Sequence, residues 1–305
     1  MAPSTTAQWA DGEREGSTED AGSASAALTR DLRSVGLRTH DLHSSAPAVS
    51  VNVGARLFAV PNAEPLASDA TPSAASDLRR LAEALGSAAP LTWVVTGDSI
   101  THGLVHTQGE RSYPEHLHEL VRGELARTRD VMINSAISGH RLTDILGDFD
   151  RRVSSWRPDV VTLMIGTNDL STGPDRTTIE SAAFTASLRE FVARVRALGA
   201  IVVLQTPPSI DVPNAPGRER ILEFVDTVRQ VAAADDVLLV DQHARFTALG
   251  NGGVPWGLMG DPFHPNAAGH ASLALELATS LGIRPASSRT LPMLEARVAA
   301  ARLNP

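Results

Sequence analysis

Cysteine and lysine are both missing from this chain of 305 residues. Without cysteine, the protein can form no disulfide, no thiolate nucleophile and no zinc–thiolate site. Without lysine, it can form no Schiff base, no lysine-bearing P-loop and no serine–lysine catalytic pair. The two absences exclude several widespread catalytic and metal-binding chemistries, and they leave all 27 basic side chains as arginines.

Long apolar runs and a surplus of positive charge are missing as well. No apolar run approaches the ~20 residues that a membrane-spanning helix needs. The formal net charge of −8 argues against a nucleic-acid partner and against docking on anionic lipid, because both require a basic surface. The N-terminal segment has no basic stretch followed by an apolar one, as a secretory signal would have. The sequence therefore predicts a cytoplasmic protein that binds neither nucleic acid nor membranes, and it leaves the oligomeric state open.

The beginning of the chain differs in composition from the rest. Residues 1–45 are rich in alanine, serine, threonine, glycine and aspartate, and such a composition buries too little apolar surface to offset the entropy lost on ordering. A valine-rich stretch over 48–60 favours one or two strands, and 76–86 favours a short amphipathic helix that begins near Ser76 or Asp77. The sequence predicts four parts: a disordered leader (1–45), a small appendage with a linker (46–90), a catalytic domain (91–285) and a C-terminal helical segment (286–305).

From residue 91 onward, short apolar runs alternate with longer stretches of helical periodicity. Runs rich in valine, isoleucine and leucine that are separated by helices are typical of a parallel sheet buried on both faces. The sequence therefore predicts an α/β fold with about five parallel strands. The predicted strands cover 91–96, 131–134, 160–166, 201–206 and 237–241. Helices are expected near 113–128, 141–154, 178–198, 216–234 and 266–281, with a long loop after the fifth strand and a last helix over 292–303.

Polar residues that can perform chemistry follow the predicted strands. In an open parallel sheet, ligands bind beyond the carboxyl ends of the strands, so residues that follow different strands can meet in one crevice. In chain order these residues are Gly97, Asp98, Ser99, Gly139, Asn168, Asp169, Asp261 and His264. Their types match the parts of an acyl-transfer site: a nucleophile, a base, a residue that orients the base, and donors for an oxyanion.

Ser99, His264 and Asp261 are candidates for a catalytic triad. A serine hydroxyl is a poor nucleophile unless a base lies within hydrogen-bonding reach. Asp261 stands three residues before His264, so in a turn its carboxylate can hold one imidazole nitrogen while the other faces Ser99. Taken singly, each residue has an ordinary alternative: Ser99 as a helix cap, Asp261 as a turn or cap residue, and His264 as a surface histidine.

Three hydrogen-bond donors are candidates for an oxyanion hole. They are the backbone N–H groups of Ser99 and Gly139 and the side-chain amide of Asn168. One such donor typically stabilises the transition state by ~3–4 kcal/mol. A glycine after a strand is weak evidence by itself, since turns often use it. Asn168 in the segment GTND is stronger evidence, because a buried amide without a partner is destabilising.

The four segments, taken in order, resemble the signature blocks of the SGNH, or GDSL-type, hydrolase superfamily over about residues 91–283. GDSI carries Ser99, with isoleucine in place of the more usual leucine; SAISGHRL carries Gly139; GTND carries Asn168; and DPFHPN carries Asp261 and His264. The resemblance implies a flavodoxin-like three-layer α/β/α sandwich. It also implies hydrolysis of a small-molecule ester or thioester through an acyl-serine, with no metal and no organic cofactor. Asp98 and Asp169, which lie inside the first and third blocks, are expected to support the site.

Several alternatives remain open on the sequence. GDSI also resembles the site of acyl carrier proteins, where the serine tethers a prosthetic group, although the predicted strands disfavour a small helical carrier. Two histidine pairs are weak candidates for a metal site: His102 with His106, four residues apart, and His116 with His118, two apart on a predicted helix and so not on one face. With the same serine, the acyl group can pass to a sugar or natural-product hydroxyl instead of water, which would make the protein an acyltransferase.

The substrate is the least determined feature. Aromatic residues make up only 4% of the chain, so a long stacking cleft for polysaccharide is not indicated. The loops expected to flank the crevice, 106–116, 209–220 and 245–263, are mainly polar and include Trp256 and Phe263. This composition favours a short acyl group, such as acetyl, on a polar or carbohydrate alcohol. A lipase or thioesterase that acts on longer acyl chains is the alternative.

Overall fold

The computed structural model describes residues 72–171 and 177–303. The leader predicted over 1–45 and the strand predicted over 48–60 lie outside these ranges. Five parallel strands form one sheet in the order β2-β1-β3-β4-β5, which is the order of flavodoxin-like doubly wound sheets. The predicted fold class is thereby confirmed. The strands are β1 (Thr92–Gly97), β2 (Val131–Asn134), β3 (Val160–Met164), β4 (Ile201–Gln205) and β5 (Leu238–Val240).

The central strands are buried on both faces because their apolar side chains feed two separate cores. Successive side chains of a strand point to opposite faces of a sheet. In β1, Trp93 and Val95 therefore join one apolar cluster, whereas Val94 joins the other. Each residue of β3 and β4 is buried, which explains why these strands read as continuous apolar runs in the sequence.

Helices cover both faces of the sheet and complete a three-layer sandwich. The α-helices and the π-helical segment are α1 (Ala74–Gly86), α2 (Ser99–His102), α3 (Tyr113–His118), a π-helical segment (Glu119–Glu124), α4 (Leu142–Gly147), α5 (Phe149–Arg152), α6 (Ser181–Ala197), α7 (Ile221–Ala234), α8 (Gln242–Leu249), α9 (Ala267–Ser280) and α10 (Thr290–Leu303). The cluster that contains Trp93 draws on helices α1, α3, α8, α9 and α10, and the opposite cluster draws on α4, α5, α6 and α7.

Four helical details differ from the sequence-based expectation. Helix α1 begins after Ser73, whose hydroxyl accepts from the Ser76 backbone N–H, so its cap lies three or four residues before the predicted position. Helix α8 occupies the start of the predicted long loop, where the Asp241 carboxylate accepts from the Ala244 N–H and caps it. The single helix expected near 113–128 is α3 followed by a π-helical segment of equal length. The single helix expected near 141–154 is divided into α4 and α5.

The first and last helices of the described chain pack against the body of the domain. Leu81 of α1 is fully buried in the core, so residues that precede the predicted catalytic domain contribute to the same sandwich. Helix α10 lies against α9 and buries Leu294 and Val298. Within residues 72–171 and 177–303, no helix combines the length and apolar character that crossing a membrane requires.

Candidate active site

The site begins where β1 ends, beside the point at which the strand order reverses between β1 and β3. At Gly97 the chain turns with φ of 156°, and a Cβ there would lie 2.3 Å from the Met164 carbonyl oxygen. Only glycine permits this close approach. Asp98 then caps helix α2, its carboxylate accepting from the Ile100 N–H at 3.0 Å. Ser99 is the first residue of that helix, so its hydroxyl stands at the carboxyl end of the sheet.

His264 and Asp261, which lie more than 160 residues further along the chain, face this serine. Ser99 Oγ is 2.8 Å from His264 Nε2, and His264 Nδ1 is 2.7 Å from Asp261 Oδ2. A carboxylate only accepts hydrogen bonds, so Nδ1 carries the proton and Nε2 is free to accept one from the serine. The structure therefore brings the three residues together in the order that proton transfer away from a serine requires.

The loop that carries the aspartate and histidine is held by its own backbone and by one asparagine. Asp261 Oδ1 accepts from the backbone N–H groups of Phe263 and His264, at 2.9 and 2.8 Å. Asn266 caps α9 through its side-chain oxygen, while its amide donates to the carbonyls of Gly257 and Met259. These bonds fix the carboxylate and the imidazole on one short turn that opens a rigid helix.

Burial and the carboxylate act on His264 in opposite directions. Burial lowers the pKa of His264 below its ordinary value, and the hydrogen bond and charge of Asp261 oppose that shift without cancelling it. Burial would raise the pKa of Asp261, but the hydrogen bonds from Phe263 and His264 outweigh it and hold that pKa below the usual range. At neutral pH the pair is a neutral imidazole backed by a carboxylate, which is the state that accepts a proton.

Gly139 and Asn168 lie on the two loops that flank the serine. The Gly139 loop leaves β2 beside the serine turn, since the Ile137 N–H donates to the Gly97 carbonyl at 3.3 Å. Gly139 itself has φ of 77°, a backbone conformation that favours glycine. The buried Asn168 amide donates to the His140 carbonyl at 3.3 Å and so contacts the residue after Gly139.

Arg141 and His102 hold these two flanking loops in place. Arg141 donates to the carbonyls of Asn168 and Ser171, at 3.1 and 2.7 Å, and thereby fixes the segment that follows β3. His102 Nδ1 is 3.1 Å from the Ser138 hydroxyl oxygen and accepts from the Ser138 N–H at 3.3 Å. The sequence alone suggests His102 only as a metal ligand and assigns no role to Arg141, because their partners here, in the segments around Ser138 and Asn168, lie far away along the chain.

Asp98 and Asp169 lie behind the site rather than within it. Asp98 is almost fully buried, and burial raises its pKa to about 7. Asp169 accepts from the Leu142 N–H at 2.8 Å, and burial raises its pKa to about 6. Their hydrogen bonds go to the backbone of α2 and α4, so both carboxyl groups shape the turns on which Ser99 and the Gly139 loop stand.

Three further side chains surround His264. His106 stacks on its ring, with centroids 3.7 Å apart and planes 10° apart. Phe263 packs against the same imidazole at 4.3 Å, and the Arg218 guanidinium lies 3.7 Å from the centre of the Phe263 ring. Sequence reasoning placed all three in loops near the crevice and missed their contacts, which have no local signal. Among the described residues, His106, Asp261 and His264 also form the one group with metal-ligand spacing.

Comparisons with known proteins establish the family of the chain. Residues 95–272 match the profile of the GDSL-like lipase/acylhydrolase family. An acetylxylan esterase from Geobacillus stearothermophilus is 28% identical over 219 residues, which cover 67% of this chain and 99% of that protein. The solved structure of Axe2, an acetylxylan esterase from the same organism, is 25% identical with a TM-score of 0.57, over 65% of this chain and 97% of its own.

A second solved structure, LAE5, is described as an α/β hydrolase enzyme from the metagenome of Lake Arreo in Spain. It is 27% identical with a TM-score of 0.56 and covers 65% of this chain and 98% of its own. Solved variants of Axe2 that are described as catalytic mutants replace a serine, an aspartate and a histidine, with the aspartate three residues before the histidine. Since the family profile spans more than half of the chain, this protein belongs to the GDSL-like lipase/acylhydrolase family and is a carboxylic ester hydrolase.

Proposed function

We propose that the enzyme removes short acyl groups, acetyl above all, from a carbohydrate or another polar alcohol, through an acyl intermediate on Ser99. The observation that carries this proposal is the continuous contact from Ser99 Oγ through His264 to the Asp261 carboxylate, with both bonds under 3 Å. The same residue types, with the same aspartate–histidine spacing, are replaced in the catalytic mutants of Axe2.

In the first half of the reaction, Ser99 attacks the ester carbonyl. His264 Nε2 accepts the hydroxyl proton as the bond between Oγ and the carbonyl carbon forms, and Asp261 stabilises the imidazolium that results. Collapse of the tetrahedral intermediate breaks the bond to the alcohol oxygen, which leaves with the proton from Nε2. The acyl group is then an ester of Ser99.

Three donors stabilise the negative charge that develops on the carbonyl oxygen. We assign them to the backbone N–H groups of Ser99 and Gly139 and to the Asn168 amide, because their loops meet at this corner of the sheet. In the second half, water gives a proton to His264 and attacks the acyl carbon. Release of the acid returns the proton to Ser99, so the enzyme ends in its starting state.

The surroundings of the imidazole favour a short acyl group. Phe263 offers an apolar face next to His264, but the Arg218 guanidinium covers that ring within 4 Å of its centre. A long alkyl chain extending past Phe263 would displace water from this cation, which is unfavourable. The acetylxylan esterase relative and the Axe2 structure support the same conclusion, since their names describe removal of acetyl from xylan.

The proposal is tested with the full-length protein on p-nitrophenyl acetate, butyrate and octanoate and on acetylated xylo-oligosaccharides. We expect kcat/KM to fall with chain length and acetate to be released from the oligosaccharide. Ser99→Ala is expected to abolish turnover, whereas Ser287→Ala, at an exposed serine, serves as the matched control. A maximum with octanoate would favour a lipase or thioesterase, and transfer of acetyl to an added sugar in place of release would favour an acyltransferase.

A further inference from the structure

His106 contacts two members of the catalytic group at once. Its ring lies parallel to His264 at 3.7 Å, and its Nδ1 is 3.5 Å from Asp261 Oδ2. That oxygen also accepts the hydrogen bond from His264 Nδ1. One carboxylate oxygen thus serves two imidazoles, although proton transfer to and from Ser99 needs only one of them. The hydrolytic mechanism leaves the second imidazole without a role.

The histidine–aspartate group formed by His106, Asp261 and His264 has the donor atoms of a transition-metal site. One ligand atom from each residue lies within 4.8 Å of the others. Two imidazoles and a carboxylate are the protein ligands of many zinc sites, in which a fourth position stays open to water. Bonds of ~2.0–2.2 Å in a tetrahedral site put neighbouring ligand atoms ~3.3 Å apart, so the ligand atoms lie within reach of one ion once the rings reorient.

We propose that the histidine–aspartate group binds one divalent transition-metal ion of the Zn²⁺ type, and that this ion switches the esterase off. The side chains of His106 and Asp261 are 26% and 31% exposed, so an ion in solution can reach them. Parallel rings cannot both aim a nitrogen lone pair at one ion, so binding opens the stack by rotating the His106 ring. His106 stands on a surface loop, where Leu104 and Val105 are exposed, so we expect its partly exposed ring to rotate toward solvent.

Coordination disables the base through the tautomer of His264. A metal ion takes a lone pair, so Nδ1 of His264 must lose its proton, and the neutral ring then carries its proton on Nε2. Nε2–H is a donor and cannot accept the proton of Ser99. Asp261 is withdrawn at the same time, since it ligates the ion instead of the imidazole. Inhibition therefore rests on the proposed function, whereas binding of the ion does not.

The donor set also predicts which ions bind. Imidazole ligands suit Zn²⁺, Cu²⁺, Ni²⁺ and Co²⁺, with affinity rising from Co²⁺ to Cu²⁺. Mg²⁺ and Ca²⁺ prefer oxygen ligands throughout, and the group offers a single carboxylate. We expect Zn²⁺ to inhibit at concentrations at which Mg²⁺ and Ca²⁺ have no effect, and a chelator to restore the rate. The ion is an inhibitor in this account and not a cofactor.

Binding is tested on full-length Ser99→Ala, which lacks the nucleophile and keeps all three ligands. Zn²⁺ is titrated by calorimetry, and Co²⁺ is followed by the visible absorption of a four-coordinate ion. We expect one site per chain. Adding His106→Phe keeps an aromatic ring on His264 and removes one metal ligand. Zn²⁺ should then bind at least ~10-fold more weakly, because losing only the hydrogen-bond partner of a metal ligand already lowers metal affinity by that factor. Adding His118→Asn, a partly exposed histidine beside Arg122, should leave affinity within about twofold of the parent.

Equal Zn²⁺ affinity with and without His106→Phe overturns the proposal, and so does the absence of a stoichiometric site in Ser99→Ala. The matching inhibition assay uses the enzyme with its serine in place, with each variant compared with its own metal-free rate. Loss of Zn²⁺ sensitivity in His106→Phe, but not in His118→Asn, supports the proposal. A protein that binds Zn²⁺ through His106 yet hydrolyses no ester would contradict the proposed function and leave the metal site standing.

Discussion

Histidines in two regions of this molecule are similarly buried and differ in what lies next to them. In the loop before α9, the His264 ring is held between the Ser99 hydroxyl and the Asp261 carboxylate. Between α3 and α9, His116 and His270 lie in the core. Neither ring nitrogen of His116 has a hydrogen-bond partner among the described residues, and His270 Nδ1 accepts only a backbone N–H from Tyr113 there.

The two surroundings give one residue type opposite chemistry. Burial lowers the pKa of all three rings, to about 4 for His116 and about 3 for His270. Only at His264 does a bonded carboxylate oppose burial, so only that ring has a partner that stabilises the imidazolium of a transition state. Under the proposed function, burial alone leaves a histidine inert, whereas burial beside Asp261 lets His264 act as a general base.

The largest expected effect comes from Asp261→Asn, which makes the surroundings of His264 more like those of His116 and His270. An amide cannot hold the tautomer as a carboxylate does, and kcat is expected to fall by ~10⁴-fold. Losing the carboxylate also removes the influence that raises the pKa of His264. The acid limb of the kcat/KM profile should therefore move to lower pH.

Asp226→Asn, at an exposed carboxylate bonded to Arg229, is the matched control for this change. Its rate and pH profile should match those of the wild type. If Asp261→Asn kept kcat within about tenfold of the wild type, the carboxylate would not be what separates His264 from the other two histidines.

Asn168→Ala is expected to have the next largest effect, which is on kcat alone. Removing the donor that we assign to the oxyanion should lower kcat by ~10²- to 10³-fold. KM for p-nitrophenyl acetate should change little, because such a donor acts mainly in the transition state. A variant in which KM rises and kcat is retained would place Asn168 in substrate binding instead.

In contrast to these variants, His116→Leu should change the stability of the protein without changing kcat. The folded-state pKa of His116 lies below its unfolded value, so the unfolded chain binds the proton more tightly. The resulting destabilisation is absent above pH 6.5, grows as the pH falls, and is complete below pH 4, where it reaches about 3 kcal/mol at 1.36 kcal/mol per pKa unit.

Asp98 and Asp169 titrate in the same range, so the quantity to measure is the difference in unfolding free energy between wild type and His116→Leu. Their contributions cancel in that difference. The unfolding free energy of His116→Leu should rise relative to that of the wild type as the pH is lowered from 6.5 to 4. Parallel curves for the two proteins would show that the ring is not held neutral by its surroundings.

The smallest expected effect is that of Arg218→Gln. Burial is the main cause of the lowered pKa of His264, and the charge of Arg218 adds to it. Removing that charge should move the acid limb of kcat/KM to slightly higher pH, opposite in direction to the shift from Asp261→Asn. A shift in the same direction for both variants would mean that the limb does not report His264.

Some features of the fold and the site could be predicted from the sequence, and others could not. The five apolar runs and the residues after them predicted the sheet and the set that includes Ser99 and His264, because strand burial and motif spacing are local signals. The stack of His106 on His264 joins loops far apart in the chain and has no such signal. Helix α8 was missed because it is only eight residues long, although Asp241 at its start is a usable cap signal.

Covalent labelling of the nucleophile tests the central claim most directly. Full-length protein is treated with an alkyl fluorophosphonate, and the labelled residue and rate are read by mass spectrometry of the intact chain and of its peptides. The account predicts one label per chain on Ser99, no label in Ser99→Ala, and labelling slowed by ~10³-fold or more in His264→Gln, where no base is left. A label on another residue, or equal rates for wild type and His264→Gln, would contradict it.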